Sequence, residues 1–146
     1  MNPGQRNALA TLLLAAAWML LVAEAAVAVW FLTSYYDEGG YLYEGWLVCA
    51  KGWTPFRDFH TKLPPLIYYF YGLPQAHIRT SVLLGRIQAA LTSLAALAIA
   101  SYAFSRRYGT WAAAATAAAF LVTLNGLDWH FRATAVPPCA LWLSIG

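Results

Sequence analysis

The longest apolar run of the chain, Ala8 to Thr33, is the feature that most narrows what it folds into. Thr11 and Glu24 are the polar residues within it. A helix needs about 20 apolar residues to cross a bilayer, and this run supplies them. A secretory signal peptide is the rival reading. Met1 to Arg6 would be its basic start, and Ala23-Glu24-Ala25 resembles a small-x-small cleavage site. The apolar run continues through "AVAVWFL" past that site, which favours a retained helix. Glu24 lies deep in this helix. A charge at that depth costs roughly 2.5–3.5 kcal/mol, so Glu24 is expected to hydrogen-bond a neighbouring helix.

Further apolar runs follow. Ser81–Phe104 and Thr110–Leu127 read as second and third spans, and the alanines of the latter favour close helix packing. Ala133–Gly146 begins a fourth run too short to span, which reads as an unfinished helix. The expectation is an all-α polytopic membrane domain, seen as the N-terminal part of something longer. Its spans cover about 8–34, 81–104, 110–127 and, incompletely, 133–146. Composition agrees: 61% of residues are hydrophobic, 10% charged and 16% aromatic, against about 25% charged in soluble domains. The net charge of +3 comes from scattered basic residues that form no stripe, so nucleic acid is not an expected partner. Cys49 and Cys139 lie far apart without metal or disulfide spacing.

Residues 35–80 differ in kind. They hold Asp37, Glu38, Glu44 and Asp58 beside Lys51, Arg57, Lys62 and Arg79, with many glycines and prolines. The stretch is too long for a mere connector. Asp37 is a plausible N-cap for a short helix over Glu38–Ala50, stopped by Gly52 and Pro55. Leu42, Trp46 and Cys49 fall on one stripe of it, which suits a helix lying on a membrane surface. Pro64-Pro65 starts a second aromatic helix, "PLIYYFYG". Its Tyr68, Tyr69 and Tyr71 suit the headgroup level. "SRRYG" reads as a tight basic turn. Arg6 and Arg106-Arg107 then mark the cytoplasmic side, which turns the 35–80 loop outward.

Acids are costly beside lipid, so "YYDEGGYLYEG" asks what its carboxylates do. A polar loop with helix-capping acids is the plain answer. Two features argue for more. Asp37 and Glu44 are seven residues apart, near one face of a helix, and Arg57, His60 and Lys62 lie in the same loop. Carboxylates and cations gathered beside a bilayer suit a reaction between a neutral acceptor and an anionic lipid.

The segment "DEGGYLYEGWLVCAKGWTPFRDFHTKLPPLIYYFYG" resembles the first extracytoplasmic loop of membrane glycosyltransferases of the C superfamily. Within that superfamily it is most similar to the protein O-mannosyltransferases and bacterial aminoarabinose transferases. Their pattern is an Asp-Glu pair after the first span, then Gly-x-x-Pro-(Tyr/Phe)-x-Asp, then Lys-Pro-Pro-Leu. The matching pieces are Asp37-Glu38, Gly52 to Asp58, and Lys62 to Leu66, with Arg86 as an arginine early in the second span. Leu63 departs from the pattern by separating Lys62 from the prolines.

The resemblance implies a sugar donor linked to a polyprenyl phosphate and a lipid, glycan or protein acceptor at the outer face. A hydroxyl acceptor needs a base, and a phosphate leaving group needs positive charge more than a proton. On this reading Asp37 is the candidate base and Glu38 an orienter or metal ligand. Arg57, Lys62 and Arg86 are candidate phosphate contacts, and Glu44 is a candidate substrate-binding carboxylate. Some relatives bind a divalent metal here and others do not; Asp37, Glu38 and His60 offer ligand types, and the metal is left open. Arg86 has a second reading, snorkelling to the interface. Asp128, His130 and Arg132 form a second outer loop read as solvated. A non-enzymatic membrane subunit or a transporter fragment is the rival class, and Glu24 is the residue that speaks for the latter.

Overall fold

The computed structural model describes residues 2–31, 36–61 and 64–122, with backbone alone at Tyr36, Asp37 and Val122. Among these residues the chain is all-helical. Its helices are α1 (Pro3–Phe31), α2 (Tyr36–Lys51), α3 (Leu66–His77), α4 (Val82–Tyr108) and α5 (Thr110–Val122). The run Ala133–Gly146, Asp128, His130, Arg132 and Cys139 lie outside the described residues.

α1 starts earlier than its apolar run. The Gln5 N–H donates to Asn2 Oδ1 at 2.8 Å, and the Asn2 N–H donates to Gln5 Oε1 at 3.0 Å. This reciprocal pair is a capping box, with Pro3 at the first helical position, where its missing N–H costs little. α1 and α4, at 29 and 27 residues, are the two described helices long and apolar enough to cross a membrane. Leu12, Met19, Leu20, Trp30 and Phe31 point outward from α1, so this helix is apolar all round. The described part of α5 is a shorter apolar helix.

α4 stands at the centre, with two clusters on two of its faces. Ala90 and Leu97 pack with Ala17, Leu21 and Ala25 of α1 and Ala117 of α5. Small residues let these helices approach closely. Ala89 packs instead with Leu42 and Val48 of α2 and Ile67, Tyr68 and Tyr71 of α3. α2 and α3 thus form a hairpin docked on the start of α4.

Several expectations need correction. The basic turn is a single residue: Arg106 and Arg107 lie in the last turn of α4, and Gly109, at φ 87°, alone separates it from α5. Cations there face the negative end of the helix dipole. Asp37 is not an N-cap, because α2 already includes Tyr36. Of the Leu42 stripe of α2, Leu42 and Cys49 pack with α3 and α4, while Trp46 lines an open cleft. Tyr68 and Tyr71 are core residues, 1% and 0% exposed; Tyr69 alone of the three tyrosines faces out. Glu24 Oε2 is buried with no hydrogen-bond partner among the described residues.

Candidate functional site

The site begins in the first turn of α2, where Asp37 and Glu38 follow Tyr36. Acids at a helix start meet the positive end of its dipole. Glu38 is 0% exposed. Its Oε1 accepts from Arg86 Nε and its Oε2 from Arg86 Nη2, both at 2.8 Å. The fork-to-fork geometry matches the planar guanidinium to the carboxylate and makes a strong charge-assisted pair. Arg86 sits one turn into α4 and is itself 5% exposed. Rather than snorkelling outward, it turns into the hairpin. The two residues to which the resemblance gives separate tasks form one buried unit joining α2 to α4.

α2 and α3 meet through glycine. A methyl on Gly45 would stand 2.8 Å from the Tyr68 carbonyl oxygen and 2.9 Å from the Gly72 nitrogen. A methyl on Gly72 would overlap the Gly45 carbonyl. No side chain fits between the backbones there. Cys49 is half-buried beside this contact, with its thiol 4.0 Å from the Tyr68 carbonyl, and burial pushes its pKa up.

Two glutamines fix the hairpin to α4. Pro74 lies inside α3 and has no N–H to offer the Phe70 carbonyl four residues back. Gln88 of α4 fills the gap, its Nε2 donating to the Phe70 oxygen at 2.6 Å. Gln75, 3% exposed, donates to the Ser81 carbonyl at 3.0 Å and accepts the Ser81 N–H at 2.7 Å. That closes the link between α3 and α4.

The loop between α2 and α3 folds on itself. The Asp58 carboxylate accepts the Thr54 N–H at 2.7 Å and takes a forked pair of bonds from Arg57 at 3.0 and 2.9 Å. The Arg57 bonds foremost, then the Thr54 N–H, hold the Asp58 carboxyl below its ordinary range. The Pro-Phe-Arg-Asp part of the motif is therefore a turn held by its own side chains. Phe56 lies in it at φ 69°, a left-handed conformation rare for a bulky residue. The Arg57 guanidinium is mostly exposed, at 71%, and His60 is exposed too. Thr61 is buried, and its hydroxyl contacts that of Tyr68. The Glu44 carboxylate also acts on this phenol and raises its pKa. Lys62 and Leu63 lie outside the described residues, and so does the phosphate role expected of Lys62.

A cleft of about 410 Å³ opens between α2 and the link from α3 to α4, lined by Leu42, Tyr43, Trp46, Gln75, Ser81 and Val82 among others. Tyr43 and Trp46 stack with ring centroids 6.1 Å apart. Lys51 Nζ stands 5.3 Å from the Trp46 ring centroid, within cation–π range. Among the described residues no three His, Cys, Asp or Glu gather as a metal-binding group.

The structure therefore joins Glu38 with Arg86, and Thr61 with Tyr68, while Arg57 stays with its neighbour Asp58. Sequence reasoning did not find Tyr68 as a junction, nor Gln88 as the partner of the Phe70 carbonyl. Half of the second was available in advance, since a proline in a helix frees the carbonyl four residues before it. No family model, curated protein or solved structure matches the chain.

Proposed function

We propose that the chain serves glycosyl transfer at the outer face of a membrane, taking a sugar from a polyprenyl-phosphate donor. The observation that carries this reading is the placement of the motif segment. Asp37-Glu38, the Pro55–Asp58 turn and the Pro65-Leu66 helix start all lie in sequence between α1 and α4, the two described helices long and apolar enough to cross a bilayer. The buried Glu38–Arg86 pair supports it by holding the start of α2 firmly against α4. In this reading the chain is multi-pass in a plasma membrane, and residues 35–80 face outward.

The chemistry assigned to these residues balances simply. The acceptor hydroxyl gives its proton to the Asp37 carboxylate. The acceptor oxygen bonds to the anomeric carbon as the bond from that carbon to the phosphate oxygen breaks. Polyprenyl phosphate leaves with the electron pair, and Lys62 and Arg57 offset its charge. Glu38 and Arg86 hold the frame, and any divalent metal would add positive charge at the phosphate.

A transporter fragment is the second reading, and the buried Oε2 of Glu24 in α1, without a partner among the described residues, is what favours it. The test is transfer from a panel of undecaprenyl-phosphate sugars in lipid nanodiscs, with and without divalent cation. Asp37→Asn is expected to lower kcat by roughly 10²–10⁴ with little change in donor binding. Near-normal turnover in that variant would place the base elsewhere. Absence of transfer from every donor would sink the transferase reading.

A further inference from the structure

Two parts of the chain meet at the hydroxyl of Tyr68, and a carboxylate of a third acts on it. Tyr68 belongs to α3, Glu44 to α2, and Thr61 to the end of the loop between them. The Thr61 hydroxyl contacts the phenol oxygen. The Glu44 carboxylate, which can only accept, favours the protonated phenol. Burial holds the phenol in its protonated, donating form: its pKa is pushed up to about 12, chiefly by desolvation, with Thr61 opposing and the Glu44 carboxylate adding to the rise.

The hydroxyl is not needed for packing. The backbones of α2 and α3 are already set by the contact between Gly45 and Gly72. The Tyr68 ring meets the edge of Phe59, with centroids 5.6 Å apart at 83°, a contact phenylalanine would keep. What phenylalanine would lose is the bridge between loop and helix. At its far end the loop is tied to α2 by the Trp53 N–H on the Leu47 carbonyl, at 3.2 Å.

We propose that the Tyr68 hydroxyl is a positioning group that holds the 52–61 loop, with Arg57 and His60, at one fixed distance from α2, with Asp37 and Glu38. The bonds stand independently of the transferase reading; the purpose of the positioning rests on it. Tyr68 touches no reacting atom and acts through Thr61, with α3 set against α2 by the Gly45–Gly72 contact.

The experiment uses the full chain in nanodiscs, with Cys49→Ala and Cys139→Ala as background and spin labels on Tyr43→Cys and His60→Cys. Electron–electron resonance then reads the distance between α2 and the loop. The parent is expected to show one narrow distance. Tyr68→Phe and Thr61→Val are each expected to broaden it, with the melting temperature nearly unchanged because the ring contact stays. A distribution as narrow in both variants as in the parent overturns the proposal.

Kinetics of unlabelled Tyr68→Phe with undecaprenyl-phosphate sugars form the second arm. Misplacing a positioned group by about 1 Å costs up to roughly a hundredfold, so kcat should fall toward that value while donor KM moves little. A broadened distance with normal kcat overturns the functional half. If the parent transfers from no donor, the transferase reading fails, and the distance arm still decides whether Tyr68 positions the loop.

Discussion

The Glu38–Arg86 pair makes the sharpest prediction about stability. At 2.8 Å and an effective dielectric of about 20, the gross attraction of two unit charges is about 6 kcal/mol. Removing both groups from water consumes much of this. The net worth of the pair is therefore small, while the penalty for breaking it is large. Arg86→Met leaves a carboxylate in a pocket where Glu38 is 0% exposed, and Glu38→Leu leaves a guanidinium there. Each single change is expected to cost about 3–5 kcal/mol. The double variant removes both charges and is expected to cost far less than the sum. The assay is equilibrium unfolding of the chain in detergent micelles, followed by tryptophan fluorescence and analysed as a double-mutant cycle. Single effects that add to within about 0.5 kcal/mol would mean that the residues do not share a buried site. A silent Arg86→Met with raised donor KM would instead return Arg86 to the phosphate role that the resemblance implies.

Two further outcomes follow from the hairpin. Gln88→Leu leaves the Phe70 carbonyl unpaired and is expected to cost about 1–3 kcal/mol in the same unfolding assay. Adding Pro74→Ala restores an N–H four residues beyond Phe70 and should recover most of that loss; a double variant no more stable than Gln88→Leu would refute the pairing. Gly72→Ala forces a methyl onto the Gly45 backbone and should cost about 1–3 kcal/mol by overpacking, whereas Gly39→Ala, with open space at its Cβ, should lose nothing.

Run length and turn residues made the helices legible. The apolar run of Ala8–Thr33 gave α1, Gly52 and Pro55 ended α2 near its observed limit at Lys51, and Pro64-Pro65 fell just before α3. The capping box at Asn2 and Gln5 was equally readable but obscured by the signal-peptide pattern around it. Facing was much harder to read. α3 is apolar on two sides, with Ile67, Tyr68 and Tyr71 buried and Leu66, Tyr69 and Leu73 exposed. Periodicity cannot rank two apolar faces, so assigning all three tyrosines to the headgroup level failed for two of them. The pairing of Glu38 with Arg86, 48 residues away, was hidden for another reason. Four bases lie within the 35–80 loop itself, and charge alone does not choose among them and Arg86.

That ambiguity explains why the hairpin is fastened to α4 by polar bonds. Apolar contact would hold α3 against α4 on either face, and a shift along the helix would change the buried area little. Each polar anchor, by contrast, fits one register. The Glu38–Arg86 fork fixes the start of α2, Gln88 on the Phe70 carbonyl fixes the middle of α3, and Gln75 on both backbone groups of Ser81 fixes its end. A slip of one residue would leave a charge, a carbonyl and an amide unpaired in the core, each costing about 1–3 kcal/mol or more. The glycine contact adds a steric stop, since only Gly45 against Gly72 lets the two backbones meet. Hydrophobicity thus brings the hairpin to α4, and the buried polar groups decide where on α4 it stays. The acids at the start of α2 inherit their position from that decision.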